Sequence, residues 1–390
     1  MSSLLKYKDR KNTDCEKWDA LGDLFGDPDL LAMWVADMDF EVPECVKQAA
    51  LHYAGQGIYG YYKVPEAYYD SFIRWEKTYH NYEVKKDWIR YAPGVVPAIY
   101  QLVRVLTEEN DHVIFMPPVY PPFFSAVRDN QRKLVECPLV NQSGQYTMDL
   151  ELFEKLIIEN DVKLFILCSP HNPVGRVWSL KELTEVLNIC KKHHVYVIAD
   201  EIHQDLILSG NQQITAATTG SYDDILVTLT SATKTFNIAG CQNSFMIIPD
   251  ENLRRSLEKI TRTMHTNEGN AFGYAVVRSA YEGGREWLEE LLRQVEENYQ
   301  ILSSKLKERL PEAVLSPLEG TYLAWIDLSA YVNPEDVREK VQNQAKLAVN
   351  YGKMFGGAAY QNFIRLNLAT RSENVETAVE RLIEAVKVIK

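Results

Sequence analysis

Short apolar, β-branched runs recur through the middle of the chain: His112 to Met116, Lys163 to Cys168, Val195 to Ala199, Ile225 to Leu229 and Ser244 to Ile248. Each has the length and composition of a buried strand. Between several of them, apolar residues repeat at helical spacing, as in Leu180 to His193, where Ser179 is placed to cap the first turn and Glu182 sits at the reciprocal position of a capping box. Alternating strands and helices predict an α/β domain with a largely parallel sheet. In such sheets ligands bind outside the carboxyl ends of the strands, so the residues that follow each run are the ones to read for chemistry.

After about Gly284 the pattern changes to a long charged helix, Arg285 to Arg309, then Pro311 and a strand-like stretch from Thr321 to Leu328. This predicts a second, smaller α/β domain. Its remainder, from Pro334 to Lys390, reads as helix, short strands around Phe363 to Leu368, and a terminal amphipathic helix. The first forty residues, loop-like and aromatic, are expected to pack against it. The expected division is a large domain over 45–284 and a small one built from 1–44 and 285–390. No internal repeat, low-complexity tract or flexible linker interrupts this plan.

With 390 residues, 46% hydrophobic and 25% charged, the chain has the balance of an ordinary globular protein long enough for a large core. A formal charge of -12 argues against nucleic acid or an anionic membrane as the main partner, since both attract basic surfaces. Small molecules are the expected ligands. The six cysteines are scattered without a CxxC pair or CxxH cluster, which suggests neither metal nor a disulfide framework. The opening residues lack the apolar core of a signal peptide, and no stretch approaches the roughly 20 apolar residues of a membrane span. Cytoplasmic residence is therefore expected.

Three strand ends carry candidate chemistry. The run ending at Cys168 enters Ser169-Pro170-His171-Asn172-Pro173-Val174-Gly175, which reads either as a rigid turn or as a loop offering the Asn172 amide to a ligand. The next ends in Asp200-Glu201-Ile202-His203, acids and an imidazole that fit a ligand site or a helix cap. A third ends in Thr230-Ser231-Ala232-Thr233-Lys234-Thr235, where a lysine among hydroxyls and apolar residues can lose its proton and form an imine, or simply be solvated.

Taken together, Ser-x-x-Asn-Pro-x-Gly, Asp-x-x-His and Ser-x-x-Lys after three successive strands resemble the class I/II aminotransferases. The resemblance covers nearly the whole chain and includes Ala92-Pro93-Gly94-Val95-Val96 opening a helix, Tyr120 in Pro117-Pro118-Val119-Tyr120, and Arg365 in Phe363-Ile364-Arg365-Leu366-Asn367. It implies the aspartate aminotransferase-like fold type I and pyridoxal 5'-phosphate (PLP), carried by Lys234 as a Schiff base, with Lys234 also the base for the substrate α-proton. Asp200 would pair with the pyridinium nitrogen, Asn172 and His203 would hydrogen-bond the ring oxygen, and Tyr120 would stack on the ring. The main-chain N–H groups of Val95 and Val96, with the Ser231 hydroxyl, would hold the phosphate. Tyr61, or alternatively Tyr59, would reach the phosphate of a neighbouring subunit, which implies a homodimer. Arg365 would clamp the substrate carboxylate, with Asn172 beside it, and Trp34, Tyr61, Tyr120 and Tyr322 are candidate pocket walls.

Three features narrow the reaction: His203 where many transaminases carry tyrosine, Gln242 where they carry a basic residue, and Trp34-Val35-Ala36-Asp37-Met38-Asp39-Phe40 in place of a glycine-rich loop. All three are similar to the MalY/PatB-type carbon-sulfur β-lyases (cystathionine β-lyases). One stretch departs from them, Tyr351-Gly352-Lys353-Met354-Phe355-Gly356-Gly357, which lacks a proline before its first glycine and so puts the pocket shape in question. The reaction implied is β-elimination on S-substituted L-cysteines such as L-cystathionine, giving a thiol, pyruvate and ammonia. Its rivals are amino-group transfer to a 2-oxo acid and a PLP-binding regulatory protein.

Overall fold

The structure, a computed structural model, describes residues 4–387, so the outermost ends of the expected small-domain spans lie outside the described residues. Seven strands form the main sheet in the order Ile89–Ala92, Ser244–Ile247, Leu226–Thr230, Tyr196–Asp200, Val162–Cys168, His112–Phe115 and Lys133–Glu136. Ser244–Ile247 runs antiparallel to both neighbours, and the other pairings are parallel. All five predicted runs are strands, each shifted by a residue at one or both ends. Ile89–Ala92 and Lys133–Glu136 were not predicted. They are four-residue edge strands whose Arg90, Lys133 and Glu136 break the apolar run.

The apolar runs are continuous because both faces of the sheet are covered. Phe165, Leu167, Val197 and Ala199 point into one core, while their neighbours Leu164, Ile166 and Ile198 point into another. The helix Leu180–Lys192 begins with the predicted capping box, in which the Ser179 hydroxyl accepts from the Glu182 N–H and Glu182 reaches back to the Ser179 N–H. Its Leu183, Val186, Leu187 and Cys190 are buried.

A four-stranded antiparallel sheet, Val314–Leu315, Leu323–Asp327, Phe363–Asn367 and Asn350–Tyr351, lies in the C-terminal part of the chain. The helices Arg285–Arg309 and Ser372–Val386 share a core with it through Leu291, Val295, Leu302, Val379 and Leu382. The helix predicted after Pro334 is short and ends in the π-type turn Glu339–Gln344. Its buried apolar residues, Val337, Val341 and Ala345, form only one narrow stripe.

The N-terminal segment does pack on this part. Leu31–Ala32 pairs in parallel with Leu347–Ala348, and residues 34–40 cross from one sheet towards the other as a strap. Asn367 Nδ2 donates to the carbonyls of Val35 and Asp37, and Asn237 Nδ2 donates to those of Met38 and Phe40. The strap is anchored by an ion pair with both side chains fully buried: Lys17 Nζ lies 2.8 Å from Asp39 Oδ2, and Trp18 Nε1 donates to Asp39 Oδ1 at 2.8 Å.

Removing one partner of such a pair leaves an uncompensated buried charge. Asp39→Ala is therefore expected to destabilise the protein by about 3–5 kcal/mol, read from the midpoint of urea unfolding. A loss below about 1 kcal/mol would show that the ion pair does not anchor the strap.

Candidate active site

The carboxyl ends of the parallel strands converge on a cavity of about 190 Å³ lined by Ala36, Val95, Val96, Tyr120, Asn172, Asp200, His203, Thr233 and Lys234, among others. Tyr120 follows His112–Phe115, Asn172 follows Val162–Cys168, Asp200 ends Tyr196–Asp200, and Lys234 lies in the turn after Leu226–Thr230. One rule of α/β topology, ligands at the strand ends, thus gathers four residues far apart in sequence.

Along one edge of the cavity the helix Val95–Leu106 begins at Gly94, and no side chain caps it. Its first turn offers the N–H groups of Val95 and Val96. Pro97, the third residue, has no N–H to give. An uncapped helix start, with free donors and the positive end of the helix dipole, is suited to an anion. On the cavity floor Asp200 is buried, and burial pushes its carboxyl up to about 7 against one main-chain donor, the Ile202 N–H, and the charge of Lys234. No cation lies within ion-pair distance of it among the described residues. His203 is buried beside it, lowered to about 3 first by burial and then by the charges of Lys234 and Arg365. It is thus a neutral imidazole, and its Nδ1 has no partner.

Lys234 Nζ donates to the Ala36 carbonyl at 2.6 Å. Burial lowers its pKa, outweighing the charges of Asp37, Glu16 and Asp200 that oppose it, and the Arg365 charge adds to the lowering. Arg365 comes from the other sheet, in the middle of Phe363–Asn367, and is buried. Its Nη1 donates to Asn172 Oδ1 at 2.8 Å, and its Nη2 reaches the Asn350 amide oxygen and, at 3.3 Å, the Trp34 carbonyl. Its Nε is unpartnered, and it stands 5.0 Å over the Phe355 ring. No carboxylate meets this cation among the described residues, and burial lowers it to about 10.

Three expected site residues are placed differently from the rest. The Ser231 hydroxyl is committed to the Asn243 carbonyl at 2.6 Å and accepts from the Thr233 N–H, so Thr233, not Ser231, lines the cavity. Trp34 turns its indole away: Nε1 donates to the Lys17 carbonyl and the ring meets Phe25 edge-on at 5.4 Å, leaving its carbonyl as the part that touches Arg365. Tyr61 is fully exposed and away from this chain's cavity, and the Tyr59 hydroxyl donates to the Ala54 carbonyl. Tyr322 is buried, with its ring edge-on to His203 at 6.2 Å.

Asn350, Phe355, Thr233 and the Ala36 carbonyl were not anticipated. Asn350 faces Arg365 across a strand pair, a register that no spacing announces. Phe355 lies in the stretch that departs from the subgroup pattern. There Gly352 is required by close approach, since a Cβ at that position would lie 2.1 Å from the Tyr360 carbonyl, and the turn still sets Phe355 under Arg365.

Residues 28–382 match the family model "Aminotransferase class I and II". Cystathionine beta-lyase PatB of Bacillus subtilis is 35% identical over 97% of this chain and 98% of its own length. Protein MalY of Escherichia coli is 28% identical over the full length of both chains. The crystal structure of the PLP-bound C-S lyase from Staphylococcus hominis superposes with a TM-score of 0.91 at 32% identity, covering 98% of this chain and 97% of that one. The cavity fits that cofactor chemically: uncapped N–H groups for a phosphate, a buried carboxylate lacking a cation, an imidazole nitrogen lacking a partner, and a lysine held towards neutrality.

The same arrangement has a consequence for stability without cofactor. Asp200 is raised from 3.8 to about 7, so between these values the folded state keeps a proton that the unfolded state has lost, and stability falls as pH rises. Asp200→Asn should therefore stabilise the cofactor-free protein by about 2–4 kcal/mol above pH 7, with the gain shrinking towards zero near pH 4. Urea unfolding of the two proteins from pH 5 to 8 measures this, and a pH-independent difference would contradict it.

Proposed function

The chain belongs to the class I and II aminotransferase family, and from that premise we propose that it is a PLP-dependent carbon-sulfur β-lyase acting on S-substituted L-cysteines such as L-cystathionine. The observation that carries this reading is one cavity holding a buried lysine and a buried carboxylate outside ion-pair distance of any described cation, with a buried arginine bonded to the cavity-lining Asn172 and meeting no carboxylate among the described residues. When bound, the cofactor supplies an electron sink for the charge left at the substrate α-carbon.

The chain's own groups do the rest. Val95 and Val96 N–H groups, with Thr233, bind the phosphate at the helix start. Asp200 offers its carboxylate to the ring nitrogen, where a cationic partner removes the penalty of burying it alone. His203 and Asn172 orient the ring through its oxygen, and Tyr120 covers a ring face. Arg365 binds the substrate carboxylate, which gives the guanidinium the anion it lacks. Lys234 would hold the cofactor, and its Nζ, kept towards neutrality by burial, would take the α-proton of the substrate. The sulfur then leaves from Cβ with the C–S bonding pair, takes up a proton as a thiol, and the released aminoacrylate hydrolyses to pyruvate and ammonia.

The reading extends to a homodimer in which the partner subunit's Tyr61 reaches the phosphate. Supporting it, Leu51, Ile58, Tyr59, Tyr61 and Met264 are exposed apolar side chains, and apolar surface in quantity marks association sites. The division into a domain of 45–284 and one of 1–44 with 285–390 is supported by the two largest sheets, the seven-stranded one lying in the first span and the four-stranded one in the second. No described helix is long and apolar enough to cross a membrane; we place the protein in the cytosol, in keeping with six unpaired cysteines.

Incubated with L-cystathionine and no 2-oxo acid, the protein should release pyruvate and thiol in equal amounts, and Lys234→Ala should release neither. Arg365→Lys should lower kcat/KM roughly 10- to 100-fold, because an ammonium cannot reproduce the two-pronged contact. Turnover that appears only on adding a 2-oxo acid would replace the lyase by a transaminase. A mixture of Lys234→Ala and Tyr61→Ala chains, reassociated, should regain activity, since one site of each hybrid has an intact lysine facing the partner subunit's Tyr61. Failure to regain it would refute the shared site.

A further inference from the structure

Lys234 sits in the short turn Ala232–Thr235; of its two neighbours Thr233 lines the cavity and Thr235 does not, and the residues around it are tied to different parts of the molecule. Thr233 is joined to Ser231, and Asn237 holds the strap through Met38 and Phe40. Thr235, fully buried, donates from Oγ1 to Asp205 Oδ2 at 2.7 Å. The other oxygen of Asp205 receives Trp75 Nε1 at 2.9 Å and His80 Nε2 at 2.7 Å, both from the last turns of the helix Glu66–His80. Asp205, Trp75, His80 and Thr235 are all absent from the cavity lining.

The group is costly to bury and is kept charged. Burial raises the Asp205 carboxyl, but the His80, Thr235 and Trp75 hydrogen bonds and the His80 charge outweigh this and hold it below its ordinary value. Burial lowers His80, but the charges of Glu76 and Asp205 overcome that and raise it to about 9. Glu76 is in turn bonded by Gln204 Nε2 at 2.6 Å. Apolar residues would fill this space more cheaply, whereas a carboxylate with three donors fixes distances and directions. Behind the turn, Phe236 meets Trp75 edge-on at 5.7 Å, so the same helix both packs against and hydrogen-bonds towards the lysine-bearing segment.

We propose that Asp205 is a positioning residue for Lys234: fixed by Trp75 and His80, its carboxylate holds the Thr235 hydroxyl and so aims the preceding side chain into the cavity. The proposal rests on Lys234 being the cofactor's anchor. It acts through geometry, where displacement of a reacting group by about 1 Å can lower rate roughly a hundredfold.

Thr235→Val removes the hydroxyl at nearly constant shape, Thr235→Ser restores it, and Asp205→Asn removes the charge at the hub. Each purified holoenzyme is reduced with borohydride, and the fraction of chain carrying cofactor covalently on Lys234 is read by mass spectrometry. kcat and KM for L-cystathionine are measured alongside. Thr235→Val and Asp205→Asn should show a lower trapped fraction and a kcat reduced roughly 10- to 100-fold, with KM within about threefold of the parent. Thr235→Ser should restore both. A Thr235→Val protein with the parent's trapped fraction and kcat overturns the proposal. So does a Thr235→Ser protein as impaired as Thr235→Val, which would make the effect one of packing. If Asp205→Asn does not fold, the Thr235 pair decides alone. A parent protein that is not trapped at Lys234 overturns the anchor itself, whereas a trapped parent that releases no thiol leaves the anchor standing and removes only the lyase reading.

Discussion

A guanidinium withdrawn from water with no carboxylate to meet it is the constraint on which this molecule turns. Arg365 is buried, bonded among the described residues to the amides of Asn172 and Asn350 and the Trp34 carbonyl, and rests over the Phe355 ring. Neutral acceptors and a ring face are weaker partners than an anion, so the charge persists at an energetic disadvantage that only the rest of the fold can sustain. Asp200 is in the complementary condition, a carboxyl pushed up to about 7 by burial, with the more distant charge of Lys234 only partly opposing it and no cation at ion-pair distance among the described residues. The lysine, the neutral imidazole and the open helix start line the same cavity as Asp200, and Asn172 on its wall receives Arg365. A site organised in this way is complementary to a ligand bearing an anion, a ring cation and a carboxylate, and not to itself.

Such a site must be held from outside, and two devices do so. The strap of residues 34–40 supplies main-chain carbonyls to Lys234, Arg365 and Asn367, joining the two sheets across the cavity. Its position is set by the buried Lys17–Asp39 pair, which lies outside the cavity. Behind the lysine, Asp205 gathers donors from Trp75, His80 and Thr235 into one buried cluster. Both devices place buried charge in pairs, and buried pairs are sensitive to displacement, which makes them suited to fixing a geometry more than to raising stability.

The degree to which the site could be read from the sequence differs by residue for physical reasons. Asn172, Asp200 and Lys234 stand directly after apolar runs, and a parallel sheet buried on both faces carries all such positions to the same edge. Val95 and Val96 were legible as the start of a helix after glycine. Ser231 was read as a ligand to phosphate, yet its hydroxyl is taken by the Asn243 carbonyl, a partner twelve residues away across a strand pair. Trp34 was read as a wall, but its indole is drawn off to the Lys17 carbonyl. Asn350 and Asp205 could not be singled out, since one depends on strand register and the other on where a helix ends in space.

Local pattern by itself therefore determined the strands, the capped helix, the order of the chemistry-bearing loops and, by resemblance, the family and cofactor. These follow from periodicity and from residues adjacent in the chain, where the physics is short-ranged. Tertiary structure alone decided which side chain of a motif faces the cavity, which buried charge is left without a partner, and what fixes the lysine in place. These depend on groups brought together from distant parts of the chain, and a hydrogen bond or an unanswered charge exists only once both partners, or their absence, are fixed in space.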